Sequence, residues 1–270
     1  MRDFLSYDPK DYDPSRFEAS AFDPDPVQRA RNAFRTELPK RFYKDATAEP
    51  AEEGHRILLD GRPVRTPARK VLAVPRPDLA ALIAAEWGAQ GERIDPATMP
   101  HTRLANAVVD GVVERREEVA ADALKYAGTD LVSYRASTPE RLVDRQTELW
   151  DPVLDWVEEA YGARFLVAEG IIHVAQDPEA LAAVGRAVQG LDPWRLAGLH
   201  SMTTITGSLL IALAHLQGRL GREEAWTAAQ IDEDWNMALW GRDPEAVARL
   251  EARRRDFEAA SAFARETGPG

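Results

Sequence analysis

The sequence predicts an α+β protein, in which a small domain with an antiparallel sheet precedes a helical bundle. Two patterns predict this class. Short β-type runs separated by turn residues occupy positions 41–74, and helical periodicity begins after Pro77 and continues to Ala264. Of the 270 residues 44% are hydrophobic and 29% are charged, which is typical of a globular chain that buries a core.

Residues 1–38 are expected to form an extended N-terminal arm. This segment contains four Asp-Pro pairs, beginning at Asp8, Asp13, Asp23 and Asp25. Each proline disfavours helix at the preceding residue, so the pairs indicate turns and extended backbone.

The sheet is predicted from four β-type runs: Arg41–Lys44, His55–Leu59, Pro63–Thr66 and Val71–Val74. Asp60-Gly61 lies between the second and third runs, and this dipeptide is a strong signal for a two-residue hairpin turn. Antiparallel pairing around that turn is therefore expected.

The remaining chain is predicted to be almost entirely helical. An apolar stripe at i, i+3, i+4 spacing runs through Leu79, Leu82 and Ile83, and a second helix is expected over about 102–126. Proline next to an N-cap-type residue predicts helix starts at Pro139, Pro152, Pro178 and Pro193. The apolar run 203–216 predicts one buried helix, and a β-like segment is expected at 167–174.

These patterns divide the chain into the arm 1–38, an α+β domain 39–128 and a bundle 129–270.

Composition argues against several classes of function. The net charge is −11, and the one mildly basic segment, 41–76, has eight basic and five acidic residues, so a nucleic-acid partner is not expected. The chain has no cysteine, which excludes disulfides and thiolate chemistry. Its apolar runs fall short of a membrane span, and its acidic N-terminus does not resemble a secretory signal or a transit peptide. A cytoplasmic protein that does not insert into membranes is expected.

The sequence contains none of the common catalytic motifs that we considered. Its five histidines form no HExxH pair, and the chain has no phosphate-binding glycine loop and no nucleophile elbow. We therefore expect no catalytic residues, cofactor or metal. One enzymatic alternative stays open, a carboxylate-dependent hydrolase of unknown substrate that uses Asp110, Asp130 or Glu233; two carboxylates converging in a deep pocket would favour it.

An acidic cluster, Asp232-Glu233-Asp234, is the most informative polar feature. It lies on a predicted helix whose apolar face is Ile231, Trp235 and Leu239. Such a cluster is either a solvated acidic face near a helix start or part of an acidic and aromatic patch that contacts a partner protein. Trp87, at the end of another helix, is likewise either a core residue or an interface residue.

An ordered string of short motifs resembles one protein family. The string consists of Arg41-Phe42-Tyr43-Lys44, Leu59 to Pro67, Glu86 to Gln90, Met99-Pro100, Thr129-Asp130, Tyr134-Arg135, Gln146, Trp150-Asp151-Pro152 with Trp156, and Asp232 to Asn236 before Trp240-Gly241. In this order, over roughly 40–260, they resemble the assembly chaperones that act on the alpha subunit of the F1 sector of ATP synthase. Such chaperones occur in mitochondria and in alphaproteobacteria.

This resemblance implies a two-domain fold that ends in an orthogonal helical bundle. It also implies a non-catalytic, ATP-independent role, in which the protein binds the unassembled alpha subunit until the beta subunit replaces it. The resemblance further implies that an acidic residue before the Trp240-Gly241 pair matters for activity, and this maps onto Glu233, with Asp232 and Asp234 as neighbours. We expect the partner-binding residues to be Asp232, Glu233, Asp234, Met237, Trp240, Trp87, Arg62 and Arg65.

The free protein is expected to be monomeric. It is expected to act in the bacterial cytoplasm, whereas its eukaryotic relatives act in the mitochondrial matrix. A scaffold that stays in the finished complex is a third possibility.

Overall fold

The structure is a computed structural model that describes residues 38–170, 172–241 and 243–264. Apart from Leu38, the predicted arm 1–38 lies outside the described residues. From Lys40 onward the chain forms one compact unit. Among the described helices, none combines the length and the apolar character that crossing a membrane requires.

The sheet forms around one central strand. β2 (Gly54–Leu59) pairs antiparallel with β1 (Ala46–Ala51), β3 (Arg62–Pro63) and β4 (Ala73–Val74). The predicted Asp-Gly hairpin turn is confirmed, because Asp60 and Gly61 both have positive φ, at 48° and 77°.

One expectation for a strand was wrong, and one strand was not predicted. Residues 41–44 form an irregular segment, whose backbone is held by the side chains of Arg41 and Asp60. β1 was not predicted, because its sequence, ATAEPA, contains one β-branched residue and no aromatic residue.

Helix α1 (Pro77–Gly88) forms where it was predicted, but the expected helix over 102–126 is broken. It consists of α2 (Pro100–Ala107), a π-helical turn (Val108–Val112) and α3 (Arg116–Ala127). The amide of Val113 donates to the carbonyl of Val108, five residues back, and Arg115 leaves the helical conformation before α3 begins.

Helix α4 (Glu140–Tyr161) begins as predicted, but Pro152 lies inside it and does not start a second helix. The strands β5 (Tyr134–Arg135) and β6 (Ala168–Glu169), which flank α4, form a short parallel pair. Helices α5 (Pro178–Gln189) and α6 (Pro193–Thr206) start at the predicted Asp-Pro pairs, where the aspartates accept hydrogen bonds from the first-turn amides.

The apolar run 203–216 is buried, as expected, but it is not one helix. Gly207 has a φ of 73° and ends α6, and the hydroxyl of Ser208 then caps α7 (Leu209–Leu216). Three further helices follow: α8 (Arg222–Ala229), α9 (Ile231–Trp240) and α10 (Pro244–Ala264).

Two hydrophobic cores hold these elements together. The first lies between the sheet and helices α1 and α2, and the second fills the bundle. Ala120, Ala123 and Ala127 of α3 belong to the bundle core, so α3 packs with the helices that follow it. Helices α6 and α10 serve both cores, since Ala197 and Phe263 belong to the first and their neighbours Leu196 and Ala264 to the second.

Candidate functional site

The acidic cluster occupies the first turn of α9. Glu233 and Asp234 are exposed, whereas Asp232 is half-buried and its Oδ1 accepts a hydrogen bond of 2.7 Å from Nε2 of Gln146 on α4. Negative charge in a first helical turn is favoured by the helix dipole, so these acids stabilise the start of the helix that carries them.

An arginine holds the carboxylate of Glu233 in place. Nη1 of Arg253 on α10 donates to Glu233 Oε1 at 3.0 Å, and Nη2 of the same guanidinium donates to the carbonyl of Ile205 at 2.6 Å. Both charged side chains are about half exposed. The end of α6, the middle of α10 and the acidic turn are thus joined at a point that solvent reaches.

The outer part of α9 differs from the expectation for its apolar face. Ile231 is buried and Trp235 is partly buried, as expected, but Leu239 is 61% exposed. Met237 is half-buried, and Trp240 ends the helix with its side chain outside the described part. α9 therefore presents carboxylates and an exposed leucine on a single short helix, a mixture that suits a polar interface with an apolar centre.

The other three predicted partner-binding residues are found together in the sheet region. Trp87, Arg62 and Arg65 line one cavity of about 630 Å³, which we call the sheet cleft. The other residues lining the cleft are Phe42, Tyr43, Leu59, Asp60, Pro63 and Val64. Among the residues of α9 whose side chains are described, none lines this cavity. The predicted residues therefore form two groups, the acidic turn of α9 and the sheet cleft.

The three carboxylates considered for an enzyme lie in three different surroundings. Asp110 accepts hydrogen bonds from Thr66 Oγ1 at 2.6 Å and from the amide of Ala68 at 3.0 Å, and so anchors the loop between β3 and β4. Asp130 is fully buried and is hydrogen-bonded to the start of α7, while Glu233 is paired with Arg253 at the surface. These carboxylates do not converge on one pocket.

Several of the histidines have structural partners. Glu86 accepts hydrogen bonds from the amide and Nδ1 of His101, and from the amide and hydroxyl of Thr102, so its carboxylate caps α2. His200 contacts Asp122, and His215 contacts Ser261. Within the described ranges, no three His, Asp or Glu side chains are grouped as metal ligands.

Sequence reasoning missed two exposed apolar residues at these sites. Phe42, predicted to lie in a strand, is 75% exposed, and Leu239, predicted to lie on the apolar face of its helix, is 61% exposed. Phe42 belongs to the motif Arg41-Phe42-Tyr43-Lys44, and that motif was a signal for the sheet cleft. The exposure of Leu239 depends on how α9 packs and has no local signal in the sequence.

Comparisons with known proteins identify relatives over most of the chain. A family model described as "ATP12 chaperone protein" matches residues 40–158. The protein atp12, mitochondrial, of Schizosaccharomyces pombe is 25% identical over 215 residues, which cover 75% of this chain and 74% of that protein.

Two crystal structures are similar over more than four fifths of this chain. Atp12 from Paracoccus denitrificans has a TM-score of 0.76 and 40% identity, covering 84% of this chain and 97% of its own. The Atu1473 protein from Agrobacterium tumefaciens has a TM-score of 0.79 and 46% identity, covering 89% of this chain and 91% of its own. The predicted α+β class is confirmed by these likenesses together with the described sheet and helices.

Proposed function

The chain belongs to the ATP12 chaperone family, and from that premise we propose that it is an assembly chaperone of the F1 sector of ATP synthase. Its client is the alpha subunit before assembly, which the beta subunit then takes over. The protein acts by binding, without catalysis or ATP hydrolysis, in the cytoplasm of a bacterium. The fission yeast relative is named as mitochondrial.

The observation that carries the proposal is the exposed surface of α9. Glu233 and Asp234 in its first turn and Leu239 near its end are all exposed. A holding chaperone must bind its client more weakly than the final partner does, and a small interface of mixed polarity meets that requirement. Binding alone lowers the free concentration of the aggregation-prone subunit by mass action.

The first experiment is a co-expression pulldown with the F1 alpha and beta subunits, separately and together. Capture of alpha alone, lost when beta is present, is the expected result. Failure to capture alpha would remove the proposed client, and recovery of the protein in purified ATP synthase would indicate a scaffold.

Glu233→Lys tests the role of the acidic turn. The variant reverses the charge that position 233 offers to the client, so it should repel a cationic client surface. Within the protein the new lysine faces Arg253, and the ion pair that is lost contributes, at half exposure, at most about 1 kcal/mol. Capture of alpha should fall about tenfold or more, with the thermal midpoint lowered by only a few degrees.

Glu53→Lys is the matched control, because Glu53 is exposed in the turn between β1 and β2 and undergoes the same change of charge. It should capture alpha like the wild type. A collapse of the midpoint in Glu233→Lys would show that Glu233 is structural, and equal loss of capture in both variants would mean that only net charge matters.

A further inference from the structure

The sheet cleft combines aromatic surface with positive charge. Phe42, Tyr43 and Trp87 form a chain of edge-to-face contacts, with ring centroids 5.3 and 5.7 Å apart. Arg62 and Arg65 are exposed at the same cavity. In a chain of net charge −11, this cavity has two guanidinium groups against the single carboxylate of Asp60.

The three charged groups of the cleft differ in how they are engaged. The carboxylate of Asp60 accepts hydrogen bonds from the amides of Lys44 and Asp45, and these bonds lower the pKa of Asp60. Among the described residues, no carboxylate forms an ion pair with Arg62 or Arg65; Arg65 donates one hydrogen bond, to the carbonyl of Arg69. Within the described part of the chain, the two guanidinium groups therefore have no carboxylate partner and can meet an anion.

Hydrogen bonds connect the walls of the cleft. Arg41 lies over the ring of Tyr43 and donates to the carbonyls of Gly88 and Gln90, while the Tyr43 hydroxyl donates to the carbonyl of Trp87 at 2.7 Å. These bonds tie the segment bearing Phe42 to the end of α1. A preformed cleft orders fewer groups on binding, which favours affinity.

One buried polar atom of the cleft residues has no partner among the described residues. The indole Nε1 of Trp87 is buried, and no acceptor for its N–H lies among the described residues. Buried donors are normally satisfied, so this unpaired N–H is an energetic cost in the free protein.

We propose that the sheet cleft is a second docking site, which takes an extended acidic peptide segment with an apolar side chain between its carboxylates. Arginine binds carboxylates through a planar pair of donors, and the exposed ring of Phe42 and the indole of Trp87 cover the apolar side chain. A volume of about 630 Å³ is in the range of ligand clefts. That this segment belongs to the client rests on the proposed function; binding of an acidic peptide does not.

The test is fluorescence anisotropy of the full-length protein with a labelled peptide, Glu-Leu-Asp-Phe-Glu-Asp, at low and moderate salt. The control peptide has Gln and Asn in place of the acids. The acidic peptide should bind about tenfold or more tightly than the neutral one, and salt should weaken it. Equal affinity for the two peptides would overturn the proposal.

Protein variants locate the binding. Arg62→Glu and Arg65→Glu should each weaken the acidic peptide about tenfold, while Arg219→Glu, the same change in the exposed loop after α7, should leave it unchanged. Because Trp87 lines the cleft, peptide binding should change the tryptophan emission of the wild type, and Trp87→Phe should remove that change. Unaltered binding in both cleft variants, with native circular dichroism, would place the peptide elsewhere and overturn the assignment.

The two proposals fail separately. Loss of alpha capture by the wild type would overturn the client but not the peptide site. Capture of alpha with no peptide binding would overturn the cleft and leave the function standing.

Discussion

Asp130 shows what a single buried carboxylate does in this molecule. Its Oδ1 accepts from the Ser208 hydroxyl and its Oδ2 from the amide of Leu210 at 3.0 Å, so it fixes the start of α7. Full burial raises the pKa of Asp130 to about 6, against the lowering effect of these hydrogen bonds.

A raised pKa makes the folded state the better proton binder between about pH 4 and pH 6. The contribution of Asp130 to stability is therefore highest at acid pH, and it falls by about 3 kcal/mol as the pH rises through that window. Asp130→Asn stays neutral, so the free energy of unfolding of the wild type should fall relative to the variant between about pH 4 and pH 7. Urea titrations of both proteins measure this, and parallel pH profiles would contradict it.

The sequence could not separate Asp130 from a catalytic acid. The residue type permits both roles, and the difference lies in the amide and hydroxyl donors that Ser208 and Leu210 bring from far along the chain. For the same reason the sequence predicts Glu233 as a site residue but does not indicate its partner Arg253. Local spacing carries no information about which distant donor meets a carboxylate.

At the scale of elements, α6 and α10 pack closely against each other at Gly198. A Cβ placed on Gly198 would lie 2.7 Å from the carbonyl oxygen of Ala260 and 2.9 Å from the amide nitrogen of Ala264. Both are backbone atoms, so an added methyl group must push the helices apart.

Gly198→Ala should therefore lower the free energy of unfolding by about 1–3 kcal/mol, because the contact becomes overpacked. Gly190→Ala makes the same chemical change where the nearest atom is 3.6 Å away and φ is −72°, and it should be neutral or stabilising by up to about 1 kcal/mol. Chemical denaturation of the two variants compares them, and equal effects would argue against a close helix contact.

The elements that the sequence predicted best are those with local signals. Asp-Gly indicated the hairpin turn, and Asp177 and Asp192 indicated two helix starts, because the turn and the caps are made by the residues themselves. The breaks at Val108–Val112 and Gly207 were missed, since helical periodicity continues on both sides of each. At Pro152 the sequence predicted the start of a new helix, but α4 continues through it, because residues on both sides of the proline pack into the bundle core.

At the scale of the whole molecule, the two cores are joined through α6 and α10. Phe263 is 1% exposed and belongs to the core of the sheet region, while Phe257 on the same helix belongs to the bundle core. A disturbance of α10 therefore reaches both cores.

Unfolding should accordingly be one cooperative transition for the wild type and for Phe263→Ala, with the variant less stable by about 3–5 kcal/mol. Circular dichroism and tryptophan emission, followed together in urea, should give coincident curves. Two separated transitions in either protein would show that the sheet region and the bundle unfold independently.

The hydrogen bond from Arg76 Nη2 to the carbonyl of Ala262 spans 186 residues, and Phe263 lies beside it in the first core. This contact sets an order for folding during synthesis. At about 5–20 residues per second, a ribosome needs roughly 10 to 40 s after Arg76 to make its partner. Throughout that interval the newly made sheet lacks the part of its core that Phe263 supplies. The sheet region of this chaperone can therefore complete its packing only after the last described helix has been synthesised.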